Sequence, residues 1–456
     1  MTKTALLWLR NDLRLGDNPA LRAAIETGEN VEALYVHETD KGLRPRGAAS
    51  RWWLHHSLNA VGADLERLGI GLDVVEGESG KLILERAKHA SVVCWNRRYG
   101  PAEREHDATI KEQLRRDGIA VKSSPGNVLV EPFDIETKTG KPYSVYTPFW
   151  QALKQRAITA PQPKPRGHDV ERVARVDGAY REPAWGKKLG KHWSIGETAA
   201  RERLDTFLDE LVDDYPADRD LPRKQATSRL SPHLAIGEIS ARQVWHAAMA
   251  RAHAEPSKAG SIEKFLSELA WRDFNHHQLY HREDIATAPM VEKYGRLDWR
   301  RDSTGLHAWT RGMTGIPIVD AGMRELWETG VMHNRVRMLT ASLVAKNLLV
   351  DWHKGEEWFW DTLVDADAAN NPGNWQWVAG SGLDASPYFR IFNPVTQGEK
   401  FDPTGEYVRH WVPELRDLPD GLVHKPWEGD GVKGYPTPIV DLKASRERAL
   451  AAFKAL

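Results

Sequence analysis

Acids, amides, three arginines and five tryptophans fall together between Gly330 and Asn393. Polar groups set among so much apolar surface need partners, and a bound ligand is one way to supply them. Within this stretch Asn334 is followed by Arg335 and Arg337, and Asp365 and Asp367 come later. That spacing fits a buried Arg–Asp pair beside a planar ligand, and it fits a surface ion pair as well. Upstream, Tyr215 precedes the run Ala226 to Ser240. There Thr227, Ser228 and Ser231 place hydroxyls and backbone N–H groups at a helix start, which suits a phosphate or a plain N-cap. Glu268, Trp271 and Arg272 share a helical repeat, and Glu268 with Arg272 at i,i+4 has the spacing of an exposed ion pair.

Other chemistries lack their equipment. No phosphate-binding GxxxxGK[ST] run and no GxSxG nucleophile turn occur. The GxGxxG-like glycines at Gly380 and at Gly429, Gly431 and Gly434 follow no strand. A calcium loop over Asp365, Asp367 and Asn370 fails, because Ala369 and Asn370 stand where a ligand and a glycine are needed. His276, His277 and His281 have no carboxylate or thiol spacing to complete a metal site, so a solvated or capping role is expected of them and no metal. The difficult chemistry then belongs to an organic cofactor. The single cysteine, Cys94, sits in the apolar run SVVCWN and reads as a buried strand residue. One cysteine allows no internal disulfide, which fits a reducing cytoplasm. The opening residues lack a signal-peptide pattern, and no apolar run reaches membrane-spanning length. Net charge is −1, so any nucleic-acid partner must be met by a local basic patch.

The elements that hold these residues differ between the two ends of the chain. Apolar runs at Thr4–Leu9, Val31–His37, GLDVVEG, SVVCW and IAVKS alternate with helical periodicity at Ala48–Leu68, Ser79–His89 and Ala102–Asp117. Asp17-Asn18-Pro19 has the form of a helix cap. This alternation predicts a doubly wound parallel α/β domain over residues 1–128. Residues 129–193 are rich in Pro, Lys and Arg and read as a connector, a candidate lid or spacer. From 194 to 456 the pattern is helical, including Ile262–His281, Ile318–Thr329, Met332–Asp351 and Glu356–Leu363. The predicted fold class is therefore α/β followed by all-α.

TSRLSPHLAIGEIS, ELAWRDF, TGIPIVDAGMRELWETGVMHNRVRM and DADAANNPGNWQWVAGSGLDASPYFRIFNP resemble the signature blocks of the photolyase/cryptochrome family, and LLWLRNDLRLGDNPAL resembles its opening. The resemblance runs the length of the chain, in the family's order. It implies FAD in the helical domain. Tyr215, Thr227, Ser228, Leu230 and Ser231 would hold its phosphates and ribityl chain, with Arg272 and Trp271 at the border of the cavity. Asn334, Arg337, Asp365, Asp367 and Asn371 would surround the isoalloxazine, with Asn371 at the ring's redox-active nitrogen. It further implies UV-damaged DNA as partner, a flipped lesion, and a monomer. Trp271 and Trp377 would wall the lesion, Glu268 would hydrogen-bond it, and Met338 would touch it. Methionine at 338 favours the cyclobutane dimer over the (6-4) lesion. Arg219, Arg335 and Arg390 are the expected phosphate contacts, and Trp375, Trp352 and Trp299 the expected electron chain. The expected reaction is electron donation from photoexcited reduced FAD to the dimer, ring opening and electron return. A blue-light receptor of cryptochrome type is the alternative. An antenna pigment is expected near Glu103, methenyltetrahydrofolate first and 8-hydroxy-deazaflavin second. Trp52 and Trp53 could stack on it, though packing is the simpler role.

Overall fold

A computed structural model describes residues 4–166, 177–178, 180–384 and 390–456, and all that follows concerns these. Residues 385–389 of the DASPYF run and 167–176 and 179 of the connector lie outside them.

The five apolar runs form strands β1 (Thr4–Leu9), β2 (Asn30–Glu38), β3 (Leu72–Gly77), β4 (Ala90–Asn96) and β5 (Ala120–Ser124). They make one parallel sheet in the order β3-β2-β1-β4-β5. Helices α1 (Pro19–Ile25), α2 (Ala48–Glu66), α3 (Ser79–Ala87) and α4 (Pro101–Arg116) supply the crossovers. The expected cap is present: the Asn18 side chain accepts from the Leu21 N–H, and Pro19 opens α1. Burial pushes the Cys94 thiol up to about 11, so it stays protonated in its strand. The order of strands reverses between β1 and β4, where such sheets leave a ligand crevice at their carboxyl ends. Here charge pairs occupy that end. Arg98 lies 2.7 Å from Asp107 and also grips Glu38, and Arg10 meets Asp107 at 3.2 Å while its guanidinium lies 4.2 Å over Trp8.

The described residues divide into two compact units. One takes residues from Met1–Val212 and Ser228–Glu283, the other from Asp213–Thr227 and Asp284–Leu456. This cut differs from the three-part division at 128 and 193. The connector and residues 194–212 and 228–283 fall with the sheet, and among them the helix Ala259–His281 is tied to the connector. Gln278 donates to the Tyr143 carbonyl at 2.8 Å, and the Leu129 N–H donates to Asp273 at 2.5 Å. His277 donates from Nδ1 to the Pro132 carbonyl (3.1 Å) and accepts at Nε2 from the Tyr143 N–H (2.9 Å). His281 donates to the same Pro132 carbonyl at 3.1 Å. Two of the three histidines read as solvated or capping are thus tethers. The connector also contains a helix, α5 (Tyr146–Lys154).

Burial lowers His277 to about 4. An unfolded histidine takes up its proton near pH 6.5, so between these values the unfolded chain binds more protons than the fold. Stability therefore falls as pH drops through that window, by up to about 3 kcal/mol from this one group. The thermal unfolding midpoint should drop between pH 6.5 and 4.5, and His277→Gln should flatten that drop. An identical slope in the variant would exclude His277 as its source.

The second unit is helical. Its helices include Pro317–Thr329, Asn334–Ser342, Trp352–Thr362, Asn370–Ala379 and Leu442–Lys454. The single helix expected over Met332–Asp351 is broken. It widens to a π-helical turn at Leu343–Leu348 and stops at Leu349, whose φ is 55°. Asp351 then caps the next helix by accepting from the His353 N–H. The core of this unit contains Trp309, Trp352, Phe359 and Trp375.

Candidate functional site

In the second unit, Asn334, Arg337 and Met338 stand at i, i+3 and i+4, opposite the buried Val336 and Leu339. Asn334 and Arg337 can be polar because Val336 and Leu339 take the core side, while Met338 borders that core. Arg337 donates from Nε to the Met332 carbonyl at 2.7 Å and from Nη2 to Asp365 at 2.8 Å. The Asp365 side chain is 4% exposed and that of Arg337 25%, so the pair is partly buried rather than a surface contact. Asp367 does a backbone task. Its Oδ1 accepts from the N–H groups of Ala369 (2.8 Å) and Asn370 (2.7 Å), fixing the start of the helix that carries Asn371.

Asn371 is buried, and both acceptors of its Nδ2 belong to Glu356: the carboxylate at 2.7 Å and the main-chain carbonyl at 3.1 Å. A main-chain carbonyl can only accept, so the nitrogen of this amide must point at Glu356. The oxygen is thereby turned the other way, as an acceptor held in fixed orientation. Glu356 was missed in the sequence. Its signal was periodicity: Trp352, Glu356 and Phe359 fall at i, i+4 and i+7 and are all buried, while Glu357 is exposed.

Trp375 follows Asn371 by one turn. Its indole crosses the neighbouring helix at Gly355, where an added Cβ would lie 2.1 Å from the ring. Trp352 is three residues before Gly355 on that helix and is 2% exposed. The Arg300 N–H donates to the Leu349 carbonyl at 2.7 Å, which brings the segment after Trp299 to the turn before Trp352. Trp299, Trp377 and Met338 are partly buried against the same core. Trp309, also missed, has its ring centroid 6.3 Å from that of Trp375, and Phe359 lies 5.1 Å from Trp375. The Trp375 Nε1 is buried without a hydrogen-bond partner among the described residues.

The expected phosphate contacts separate. Arg335 is paired with Asp220 at 2.7 Å and lies 4.5 Å over the Phe401 ring. Arg219 lies 5.3 Å over Tyr215 and 4.0 Å from Asp220. These two guanidinium groups are engaged by the chain itself. Arg390 is exposed, and the buried Lys346 donates to its carbonyl. Burial lowers Lys346 to about 7.

The first unit holds most of the remaining residues. Ser228 and Leu230 flank Arg229, which sits at φ 51°, a conformation a non-glycine residue adopts only when its surroundings impose it. Arg229 lies 4.2 Å over Trp193. A left-handed residue just before the helix Ser231–Ile236 is the shape in which backbone N–H groups converge on an anion. Thr227 and the buried Tyr215 belong to the second unit. On the helix Ala259–His281, Glu268 meets Lys264 at 2.7 Å. Arg272 instead donates to the Asn127 carbonyl at 2.6 Å. Trp271 is stacked on Tyr146, with centroids 3.7 Å apart and planes at 10°. Glu103 lies over Gly100 in the first turn of α4, where its charge complements the helix end. Trp52 and Trp53 are fully buried and donate to Glu182 and Glu238, so they pack. Glu38, Asp40 and His106 come close enough to suggest a cation, but the Ser79 hydroxyl bonds to all three and Arg98 sits on Glu38.

Residues 265–455 match the model for the FAD binding domain of DNA photolyase, and residues 5–166 match the DNA photolyase model. The chain is 46% identical to the deoxyribodipyrimidine photo-lyase of Agrobacterium fabrum, over 100% of this chain and 98% of that protein. It is 38% identical to the Escherichia coli enzyme of the same name, over 99% and 98%. The crystal structure of a bacterial class III photolyase from Agrobacterium tumefaciens superposes with a TM-score of 0.93 at 46% identity, covering 100% and 98% of the two chains. A Synechocystis cryptochrome superposes at 0.89 with 29% identity, covering 99% of each. An archaeal photolyase from Sulfolobus tokodaii, described with two FAD molecules, superposes at 0.85 with 30% identity, covering 99% and 100%.

Proposed function

Because the chain belongs to the DNA photolyase/cryptochrome family, on its DNA-repairing photolyase side and with an FAD-binding domain, we propose that it repairs cyclobutane pyrimidine dimers with light. The observation that carries this reading is the fixed amide of Asn371. With its nitrogen committed to Glu356, it presents only an oxygen, which suits a protonated nitrogen of a reduced flavin. The residues fit FAD in other respects. Arg337 and Asp365 offer a partly buried charged pair to a polar ring edge, and the strained turn at Arg229 suits a pyrophosphate. When bound, the reduced flavin supplies the light-driven electron that opens the dimer and recovers it afterwards.

The chain's own residues bind and orient. Tyr215, Thr227, Ser228, Leu230 and Ser231 would hold the phosphates and ribityl chain, and Asn334, Arg337, Asp365, Asp367 and Asn371 the ring. Trp271 and Trp377 offer flat apolar walls to flipped pyrimidines, Glu268 a hydrogen bond and Met338 a soft contact. Arg390, exposed and basic, is the best placed of the three arginines for a DNA phosphate. Trp375, Trp352 and Trp299 would relay electrons from the surface. Glu103 is engaged at the start of α4, so it alone makes a weak case for a folate antenna over a deazaflavin. Among the described residues no helix is long and apolar enough to cross a membrane.

The test is direct. Reduced protein is mixed in the dark with an oligonucleotide carrying one thymine dimer and then illuminated with blue light. Dimer loss that requires light is the expected result. No loss, with FAD present and reduced, would overturn the repair reading in favour of a light receptor. Pigments extracted from the same sample would identify any antenna.

A further inference from the structure

We propose that Tyr146, in the connector helix α5, is a positioning residue for lesion recognition, backing the Trp271 indole so that a single ring face is held ready for the flipped bases. This rests on the reading of Trp271 as a lesion wall. The two rings are nearly parallel, 3.7 Å between centroids and 10° between planes. The Tyr146 hydroxyl donates to the Ser267 carbonyl, one turn before Trp271 on the same helix. Tyr146 is therefore fixed to that helix at its tip and by its face. Phe274 closes the side of the stack, with its ring edge-on to Trp271 at 5.7 Å and to Tyr146 at 5.8 Å. Phe149, also on α5, supports Phe274 at 5.3 Å. Tyr146 is 8% exposed, whereas Trp271 is only partly buried.

A tryptophan has two faces, and here one is taken by the chain. An indole without such a backing loses side-chain freedom when a ligand stacks on it, and that loss weakens binding. Fixing the ring during folding removes the loss from the binding step, a gain of about three- to tenfold in affinity. The gain applies to a lesion turned out of the duplex and not to undamaged DNA, which meets the phosphate contacts alone. A stretch that reads as a loose connector thus supplies part of the specificity.

The test uses the FAD-loaded protein in the dark, with matched oligonucleotides that carry one thymine dimer or none. Tyr146→Leu should weaken dimer binding about three- to tenfold. Binding of undamaged DNA, FAD content and repair at saturating dimer should stay at wild-type levels. Tyr146→Phe, which keeps the stack, should restore dimer affinity to within about twofold. Should Y146L lose FAD or unfold early, Tyr146→Met fills the space without a flat ring and is read in the same way. Unchanged dimer affinity in the ringless variant, or parallel loss for both oligonucleotides, would overturn the proposal. Trp271→Ala separates this from the reading beneath it. If W271A keeps full dimer affinity, Trp271 is no lesion wall. If W271A loses affinity and Y146L does not, only the role of Tyr146 is refuted.

Discussion

Asn371→Asp is expected to bring light-driven dimer repair at least about 100-fold below the wild-type rate, the scale seen when one oriented polar group is lost from a reaction centre. The cause lies in the neighbour. The amide nitrogen of Asn371 is 2.7 Å from the Glu356 carboxylate. An aspartate there would set two carboxyl groups against each other, and two such groups cannot both ionise cheaply. The pair would retain one proton and titrate as a unit above the ordinary carboxyl range. The variant fold then binds more protons than its unfolded chain, so its stability should fall as pH rises above about 4, with the loss complete once the pair is doubly ionised. Once the pair is doubly ionised, the added negative charge would also disfavour an anionic reduced cofactor. Repair rate and the unfolding midpoint, each followed from pH 5 to 9, check both parts. A variant that repairs normally at pH 8 would remove Asn371 from the centre. One with a flat stability profile would show that the two carboxyls do not meet.

Trp352→Phe is expected to slow light-driven reduction of oxidised FAD at least about tenfold, while chemically pre-reduced protein repairs dimers at the normal rate. One order of magnitude corresponds to about 1.4 kcal/mol on the slow step, a modest demand when a relay indole becomes a ring far harder to oxidise. Trp352 and Trp375 approach the same helix face, and Gly355 is what admits the second indole. Absorbance of the bound flavin under steady illumination, with an external reductant, gives the rate directly. Unchanged photoreduction would leave Trp352 as core packing alone. Loss of repair in pre-reduced protein would point instead to damage from the cavity left by the smaller side chain.

The parallel sheet was legible because each strand and each crossover helix carries its own periodicity and its own stop signals. Asn18 and Pro19 announce α1, and the helical runs at Ala48–Leu68 and Ala102–Asp117 lie between apolar ones. The break at Leu343–Leu349 was not legible, since apolar residues continue through it. What ends the helix is the left-handed Leu349 and the Asp351 cap, and neither alters the hydrophobic pattern. Arg337 was singled out by its spacing from the later acids and Asn371 through the family blocks, but Glu356 and Tyr146 were not. Each pairs with a residue distant in sequence: periodicity can mark Glu356 as buried, but nothing local names its partner. The same holds for His277, whose two bonding partners lie in the connector.

The way the chain is shared between its two compact units bears on the order in which it can fold during synthesis. The first unit lacks its 23-residue helix Ala259–His281 until residue 281 has been made. Until then Pro132 and Tyr143 wait without their histidine, although they were synthesised long before. Asp213–Thr227 waits longer still, because the rest of its unit begins only at Asp284. Neither unit can close on the ribosome in simple head-to-tail order. A chimera joined to a relative at residue 265, where the family's FAD-binding match begins, would cut through that helix and give one unit mismatched halves. Junctions at residues 212, 227 and 283 together would exchange whole units.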